Sequence, residues 1–597
     1  MCGIAVCFSP NHLSEISDLV GDLHHRGPDD EGFFHSHDVN FSMGMRRLSI
    51  QDLEGGHQPI FSQNNDYVIV FNGEIFNADQ LRSELLNIGY LFRTEHSDTE
   101  VIVAGISLYG IDFVQRLNGM FSAAIYNIRD KKIILIRDQL GIKPLYYKIY
   151  NNNIAISSEI NSLIRLFQTS DISQISTAHF LSFGHIQNSD SIYSDIKQVS
   201  PGSIMIIDLD ENHLKIEKKS YWSPYKTGNK ITFNNEELYA QINSAVDRWS
   251  ISDVPISLSL SGGTDSSIIL HHLLKQGKKP ECYSVIFNNG DSPEDTNRKY
   301  LVNQYNLNIN EIVYDDSRLV DDIENIIYSL GEPYSGSIAS WLIYKSAVHK
   351  EKVMLSGTGG DELFGNYSKW RYFSKPATLL LDKLKRIKNG NPIHYKYFKN
   401  SYKYFPNIFT LEDLLGLMSN ENEVNKSWGI MERNLRKENL FTRPSFYDLL
   451  GQLTSEFLFM SDRFSMHNSI ELRTPLLDIS LVDYVLKIPY KDRSRFRNPK
   501  KLLIDTYKDK IPSLKILNNK QGFSHQNSLI FGPLKEYFLD LTSDFDKACF
   551  PIFDSFNIIE SLRNIVLNNE TNISSQKYNQ IWTIFMFLAW CEKQKKL

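Results

Sequence analysis

The chain has 597 residues, of which 42% are hydrophobic and 22% charged, ordinary values for a folded protein and too apolar for wholesale disorder. Its 64 basic and 70 acidic residues leave a formal charge of −6, so no global field favours a nucleic-acid partner. Five cysteines (Cys2, Cys7, Cys282, Cys549, Cys591) without a CxxC pair exclude a disulfide scaffold and a cysteine zinc site.

At roughly 150 residues per domain the length suggests about four domains, or two large ones. Met1-Cys2-Gly3-Ile4-Ala5 lacks the basic start of a signal peptide, and with the sparse cysteines it predicts a cytoplasmic protein. Over the first 200 residues, short apolar runs such as Tyr67–Phe71 and Lys132–Ile136 predict strands. Asn151-Asn152-Asn153 between Tyr146–Tyr150 and Ile154–Ser157 predicts a hairpin. Pro201-Gly202 and the polar stretch Ser223–Phe233 mark a linker. Then the rhythm changes. Val254–Leu260, Cys282–Phe287, Glu311–Tyr314 and Lys352–Leu355 read as strands. Helices are predicted at Ser266–Lys275, from about Asn297, and near Asp321–Leu330. That alternation predicts a parallel sheet with ligands at the carboxyl ends of its strands. The last 200 residues read as mostly helical. Ile581–Cys591, the longest apolar run, is well short of the roughly 18 residues that span a bilayer, so Ile581–Trp590 reads as a buried helix and no membrane contact is expected.

Cys2 is the first chemical candidate. A thiol needs a base; if Met1 is removed, Cys2 becomes the N-terminal residue and its own α-amine, with a pKa of about 8, can serve. A buried structural cysteine beside Cys7 is the alternative. Arg46–Ile50, Asn72-Gly73-Glu74-Ile75 and Ser97-Asp98-Thr99-Glu100 follow. An Asn side chain beside a Gly N–H offers two oxyanion donors, and an Arg with an Asp can hold the two charges of an amino acid.

Met1-Cys2-Gly3-Ile4, His25-Arg26-Gly27-Pro28-Asp29, Arg47-Leu48-Ser49-Ile50, Asn72-Gly73-Glu74-Ile75 and Arg137 to Tyr147 together resemble the class II, N-terminal-nucleophile glutamine amidotransferase domain. The resemblance implies an α+β Ntn-hydrolase fold, an αββα sandwich of antiparallel sheets, over 2–210. It implies that Cys2 attacks the glutamine amide and releases ammonia, with Asn72 and Gly73 as the oxyanion hole. Arg47, Leu48, Ile50, Asn72, Glu74 and Asp98 would bind glutamine.

Ser261-Gly262-Gly263-Thr264-Asp265-Ser266-Ser267 lies between a predicted strand and a predicted helix. Its glycines let N–H groups approach a phosphate, and the helix start favours an anion; without a Gly-Lys-Ser/Thr ending it is no Walker A loop. Asp361, in Ser356 to Gly365, follows another strand and with Asp265 could hold a nucleotide-bound Mg²⁺. These loops, with Asp462 to Asp478 and Lys520-Gln521-Gly522-Phe523, resemble the synthetase domain of glutamine-hydrolysing asparagine synthetases. The resemblance implies an α/β domain over 235–597 with a PP-loop parallel sheet, of the adenine nucleotide alpha hydrolase-like type, and helical extensions. ATP would be bound by Ser259, Ser261, Gly262, Gly263, Asp265, Ser266, Ser267, Ile286, Ser356, Gly357 and Lys520, with Mg²⁺ on Asp265 and Asp361. Lys520 would also face the pyrophosphate. The expected activity is glutamine-dependent amidation of a carboxylate, aspartate first, through an acyl-adenylate, with AMP and pyrophosphate released. The partners would be small molecules only, with the homodimer that the family suggests.

Two departures stand out. Where asparagine synthetases usually carry Asp or Glu near the acceptor, this chain has Thr358, and Thr264 stands where an aliphatic residue is common in the loop. Two other readings stand beside the first: the same chemistry on another acceptor such as a sugar uronic acid, and a glutaminase whose C-terminal domain only binds nucleotide. The Lys- and Tyr-rich run Lys383–Lys403 reads as a solvated helical surface. The His24-His25, His35/His37 and His271-His272 pairs lack partners at metal spacing.

Overall fold

A computed structural model describes residues 2–168, 171–187, 189–209, 214–226, 228–287, 292–365, 407–436, 448–494, 499–517, 526–543 and 552–595. The N-terminal part is built on two six-stranded antiparallel sheets. The strands are β1 (Cys2–Phe8), β2 (Asp30–Ser36), β3 (Phe41–Arg47), β4 (Ile60–Phe61), β5 (Tyr67–Ile75), β6 (Gly119–Asn127), β7 (Lys132–Arg137), β8 (Tyr146–Tyr150), β9 (Asn153–Ser157), β10 (Ile196–Gln198), β11 (Ser203–Leu209) and β12 (Leu214–Ser220). One sheet runs β10-β8-β9-β1-β3-β2, the other β12-β11-β7-β6-β5-β4.

β1 shows why they stack. Its side chains alternate, so Ile4, Val6 and Phe8 join Met43, Met45, Val68 and Val70 between the sheets. Ala5 and Cys7 point the other way, into a cluster with Ile16 and Leu19 of α1 (His12–Gly21). α2 (Ala78–Asn87) and α3 (Asp98–Tyr109) cover the second sheet, while α4 (Ile160–Phe167) joins α1 on the first. The result is the expected αββα sandwich. The hairpin is as expected: Tyr150 pairs with Asn153 across Asn151 and Asn152, at φ 45° and 63°, the positive-φ pair that matches strand twist. β12 pairs with β11 along its whole length, so the sheet continues past residue 210 to Ser220.

A turn at Pro224–Lys226 leads to α5 (Asn235–Trp249), where the Asn234 side chain accepts from the Glu236 N–H. A parallel sheet follows: β13 (Ile256–Ser259), β14 (Glu281–Ile286), β15 (Ile309–Val313), β16 (Val353–Leu355) and β17 (Glu471–Arg473), in the order β15-β14-β13-β16-β17. The chain leaves β13 in both directions, so the loops after β13 and β16 lie side by side at the switch point. The helix expected from Asn297 begins at Pro293, because Ser292 and Asp295 form a capping box. β17 was not foreseen; three residues inside a helical stretch carry no period.

The two parts share one interior. Leu48, Ile50, Phe76, Met120 and Ile142 from the sandwich join Trp249, Leu476 and Leu477 in one buried cluster. The helix Ser575–Gln594, containing the apolar run, is buried over Gln580–Cys591. Its Trp590 indole donates to the Gly331 carbonyl at 3.0 Å, and its Gln594 accepts from Tyr193 at 2.8 Å. No helix among the described residues is long and apolar enough to cross a membrane.

Candidate active sites

The first site lies where β1, β3 and β5 meet α3. Cys2, Arg47, Leu48, Ile50, Glu74 and Asp98 line a cavity of about 320 Å³ with Gly73, Gln58 and Thr99. Cys2 is buried, and its N–H donates to Asn72 Oδ1 at 3.2 Å. That leaves Asn72 Nδ2 buried with no hydrogen-bond partner among the described residues, an unspent donor beside the thiol. Gly73 has φ 151°, and a Cβ there would sit 2.1 Å from the Met120 carbonyl, so only glycine fits this close strand pairing. Burial pushes the Cys2 thiol up, against the pull of the N-terminal ammonium and of Arg47.

The charged groups are less free than their residue types suggest. Arg47 spends its guanidinium on the carbonyls of Gln51, Asp52 and Leu53, at 3.0, 2.7 and 3.1 Å, and so shapes the cavity rim. Asp98 accepts from the Ile75 N–H at 2.9 Å. Glu74 faces Asp98 and is bound from outside the sandwich, by Arg473 at 3.1 Å. Burial raises both carboxyls; Asp98 and Glu471 push Glu74 further, against the pull of Arg473. A pocket with two such carboxyls is short of positive charge and suits a ligand ammonium.

The second site is built from loops at the sheet's switch point. After β13, Gly262 at φ 82° turns beneath Glu294, whose carbonyl would lie 2.1 Å from an added Cβ. Gly263 opens α6 (Thr264–Lys275); its N–H donates to the Ser261 hydroxyl at 3.1 Å, and its carbonyl accepts from the Ser267 hydroxyl at 2.7 Å. The neighbouring loop lies against Asp265 because Gly357 and Gly360 have no side chains: a Cβ at either would come within 2.8 Å of it. Asp361 sits in the first turn of the Gly360–Phe364 helix, behind Gly359, rather than capping it. Ser356 and Thr358 bond each other through their hydroxyls at 2.8 Å. Ser259 ends β13 and Ile286 ends β14, both on the loop side. Lys500, unnoticed in the sequence, bridges the pair: its ammonium lies 2.6 Å from Asp361 and bonds Asp265 as well. The two carboxylates thus converge on one position that already holds a positive charge. Lys520 lies outside the described residues, as does Lys383–Lys403.

Behind Cys2, whose carbonyl it contacts at 3.4 Å, Arg26 is fully buried and pairs with both Glu159 and Asp462 at 2.9 Å. Lys143 reaches Asp462 at 3.4 Å. A cavity of about 520 Å³ opens beside this cluster, lined by Tyr146, Glu332, Tyr334, Asp462 and Arg463 among others. Arg26 lies in the His25-Arg26-Gly27-Pro28-Asp29 stretch, where nothing local announces a partner at position 462. No cluster of three or more potential metal ligands occurs among the described residues; a nucleotide-bound Mg²⁺ needs only one or two carboxylates.

Residues 1–222 match the family model described as glutamine amidotransferase domain, and residues 237–592 the one described as asparagine synthase. The chain is 28% identical to asparagine synthetase [glutamine-hydrolyzing] 1 of Bacillus subtilis over 99% of its own length and 96% of that protein's. It is 28% identical to asparagine synthetase [glutamine-hydrolyzing] 3 of the same organism, over 84% and 83% of the two chains. It is 30% identical to putative asparagine synthetase [glutamine-hydrolyzing] 2 of Methanocaldococcus jannaschii, over 62% and 76%.

Proposed function

This chain belongs to the asparagine synthase family, and we propose that it is a glutamine-dependent, ATP-consuming amidotransferase whose acceptor is aspartate and whose product is asparagine. The observation that carries the reading is the presence in one chain of a buried cysteine with a spare oxyanion donor and of a phosphate-type loop facing paired carboxylates.

In the first site Cys2, once removal of Met1 makes it the N-terminal residue, gives its proton to its own amine and attacks the glutamine amide carbon. Asn72 Nδ2 and the Gly73 N–H hold the oxyanion. Ammonia leaves, and water hydrolyses the thioester to glutamate. Glu74 and Asp98 take the α-ammonium, and Arg47 frames the carboxylate end. In the second site the N–H groups and hydroxyls of Ser261–Ser267, with Ser356 and Gly357, hold ATP between Ser259 and Ile286. The acceptor carboxylate attacks the α-phosphorus and pyrophosphate departs, with Lys520 as its counter-charge. Ammonia then attacks the acyl-adenylate carbon and AMP leaves.

Asp265 and Asp361 would hold Mg²⁺. The fit rests on their convergence about the Lys500 ammonium, and the metal would neutralise phosphate charge. The buried apolar contact of Met120, Ile142 and Leu48 with the C-terminal core suits passage of uncharged ammonia. A cytosolic setting fits glutamine and ATP as substrates.

Mass analysis of products formed from glutamine, MgATP and a panel of carboxylates tests the proposal. Asparagine from aspartate is expected. An amidated uronic acid in its place would move the acceptor, and glutamate without AMP would leave only a glutaminase.

A further inference from the structure

We infer that Arg473 is a positioning residue through which the C-terminal sheet fixes Glu74 in the glutamine pocket, so that glutamine affinity is set from the other domain. The inference rests on reading the Cys2 cavity as the glutamine site.

Arg473 sits on β17, the edge strand of the parallel sheet, 399 residues from Glu74 in sequence. It is fully buried. Its guanidinium makes four contacts in different directions. Nη2 donates to Glu74 at 3.1 Å, and Nε to Glu471 at 2.5 Å. Nη1 donates to the carbonyls of Trp249 and Ile251 at 3.1 and 2.5 Å. Three of the four partners belong to the C-terminal part, so Arg473 is held there and presents one arm to the sandwich. A planar fork can do this; a lysine ammonium on a flexible stem cannot meet the same set.

Glu74 depends on that arm. It lines the Cys2 cavity beside Asp98, and two adjacent buried carboxyls repel each other unless a cation is near. Arg473 supplies one without entering the cavity lining. The same residue reaches the second site by its main chain: its carbonyl accepts from the Ser356 N–H at 2.8 Å, at the start of the loop that carries Thr358 and Asp361. Side-chain substitution should therefore disturb the glutamine pocket and spare the nucleotide loop.

The experiment uses the full chain, with steady-state glutaminase kinetics and ATP/pyrophosphate exchange measured on the wild type and on Arg473→Lys. We expect KM for glutamine to rise about tenfold or more, the scale of one hydrogen bond to a charged group, with kcat and exchange within about twofold. On a Glu74→Gln background Arg473→Lys should add no more than about twofold, because its effect passes through Glu74. Should Arg473→Lys not fold, the double change Glu471→Leu with Arg473→Met removes the charge pair in favour of apolar packing, a replacement buried pairs often tolerate, and the same rise in KM is expected. An unchanged KM, a fall in kcat alone, or full additivity with Glu74→Gln overturns the inference; so does failure of both variants to fold, which would make Arg473 a fold element only. A wild type that does not hydrolyse glutamine overturns the reading of Cys2 instead.

Discussion

The two sites are assembled in opposite ways. The proposed nucleotide loop is held within its own domain: inside Ser261–Ser267 the hydroxyls and N–H groups bond one another, Asn297 binds the Gly262 carbonyl and the Ser267 hydroxyl, Lys500 binds Asp265, and the glycines of the neighbouring loop admit Asp265. The proposed glutamine pocket takes each wall from a different element. Cys2 comes from β1, Arg47 from β3, Gly73 and Glu74 from β5, Asp98 from α3, and the counter-charge of Glu74 from the far domain. The first kind of site survives small movements of the scaffold. The second is only as good as the packing between sheets and between domains. The two sites should therefore fail separately when their own groups are removed, and the glutamine site alone should respond to the interface.

The largest separation expected comes from Cys2→Ala. Glutamine-driven synthesis should fall to background, a loss of at least about a thousandfold, as expected when a covalent nucleophile is removed. Synthesis from ammonium salts should persist within about twofold. Loss of both activities in a folded protein would show that the sites are not chemically independent.

The reverse break is Asp265→Asn or Asp361→Asn. Each removes half of the carboxylate pair and one partner of Lys500. ATP/pyrophosphate exchange should fall by at least about two orders of magnitude, the scale of losing a charge-stabilising group, while glutaminase activity largely survives. Normal exchange in either variant would remove that residue from the proposed metal site.

This difference in assembly also governs what the sequence reveals. Ser261 to Ser267 is contiguous and bounded by a strand and a helix, so its place at a strand end was readable from pattern alone. The sandwich was readable as β-rich, because short apolar runs such as Tyr67–Phe71, bounded by turn residues, are a local signal. The pocket needed the family resemblance, since Arg47, Asn72 and Asp98 individually look like turn or surface residues. Arg473 and Lys500 were missed for a physical reason. Each acts through partners far away in sequence, Glu74 and the Asp265/Asp361 pair, and a buried ion pair leaves no period or composition bias. Gln58, whose amide lies 4.0 Å from the Cys2 sulfur, is invisible for the same reason.

Thr358 sharpens the comparison on the acceptor side. Its hydroxyl is bonded to Ser356, where the resemblance puts an acid in asparagine synthetases. A hydrogen bond from a charged group is worth about 1.5–3 kcal/mol, roughly 10- to 150-fold in acceptor affinity. Thr358→Glu should strengthen aspartate use by up to that amount, read as a lower KM for aspartate in ammonia-driven synthesis. No gain, with a loss of turnover, would mean that the pocket fits another carboxylate and that the added charge lacks a partner.

The smallest effect concerns the rim of the proposed glutamine pocket. His96 lies 2.7 Å from Asp253 of the C-terminal part, which also accepts the Asp52 N–H at 2.8 Å. The hydrogen bond to Asp253 raises the imidazole above its ordinary value, although partial burial opposes it. A group whose pKa is higher folded than unfolded stabilises fully below its unfolded value, about 6.5, and that contribution disappears as pH rises through the raised folded value. His96→Gln should therefore cost stability at pH 6 and almost none at pH 8.5. With His96 and Asp253 side chains 43% and 37% exposed, solvent screening limits the cost to the surface-pair range of about 0.2–1 kcal/mol. For a chain this large that is at most a degree or two in Tm at pH 6. Because the Asp52 N–H to Asp253 bond has no titrating donor, the rim should stay docked at high pH. An equal Tm difference between wild type and variant at both pH values would show that the imidazole acts there by packing rather than by charge.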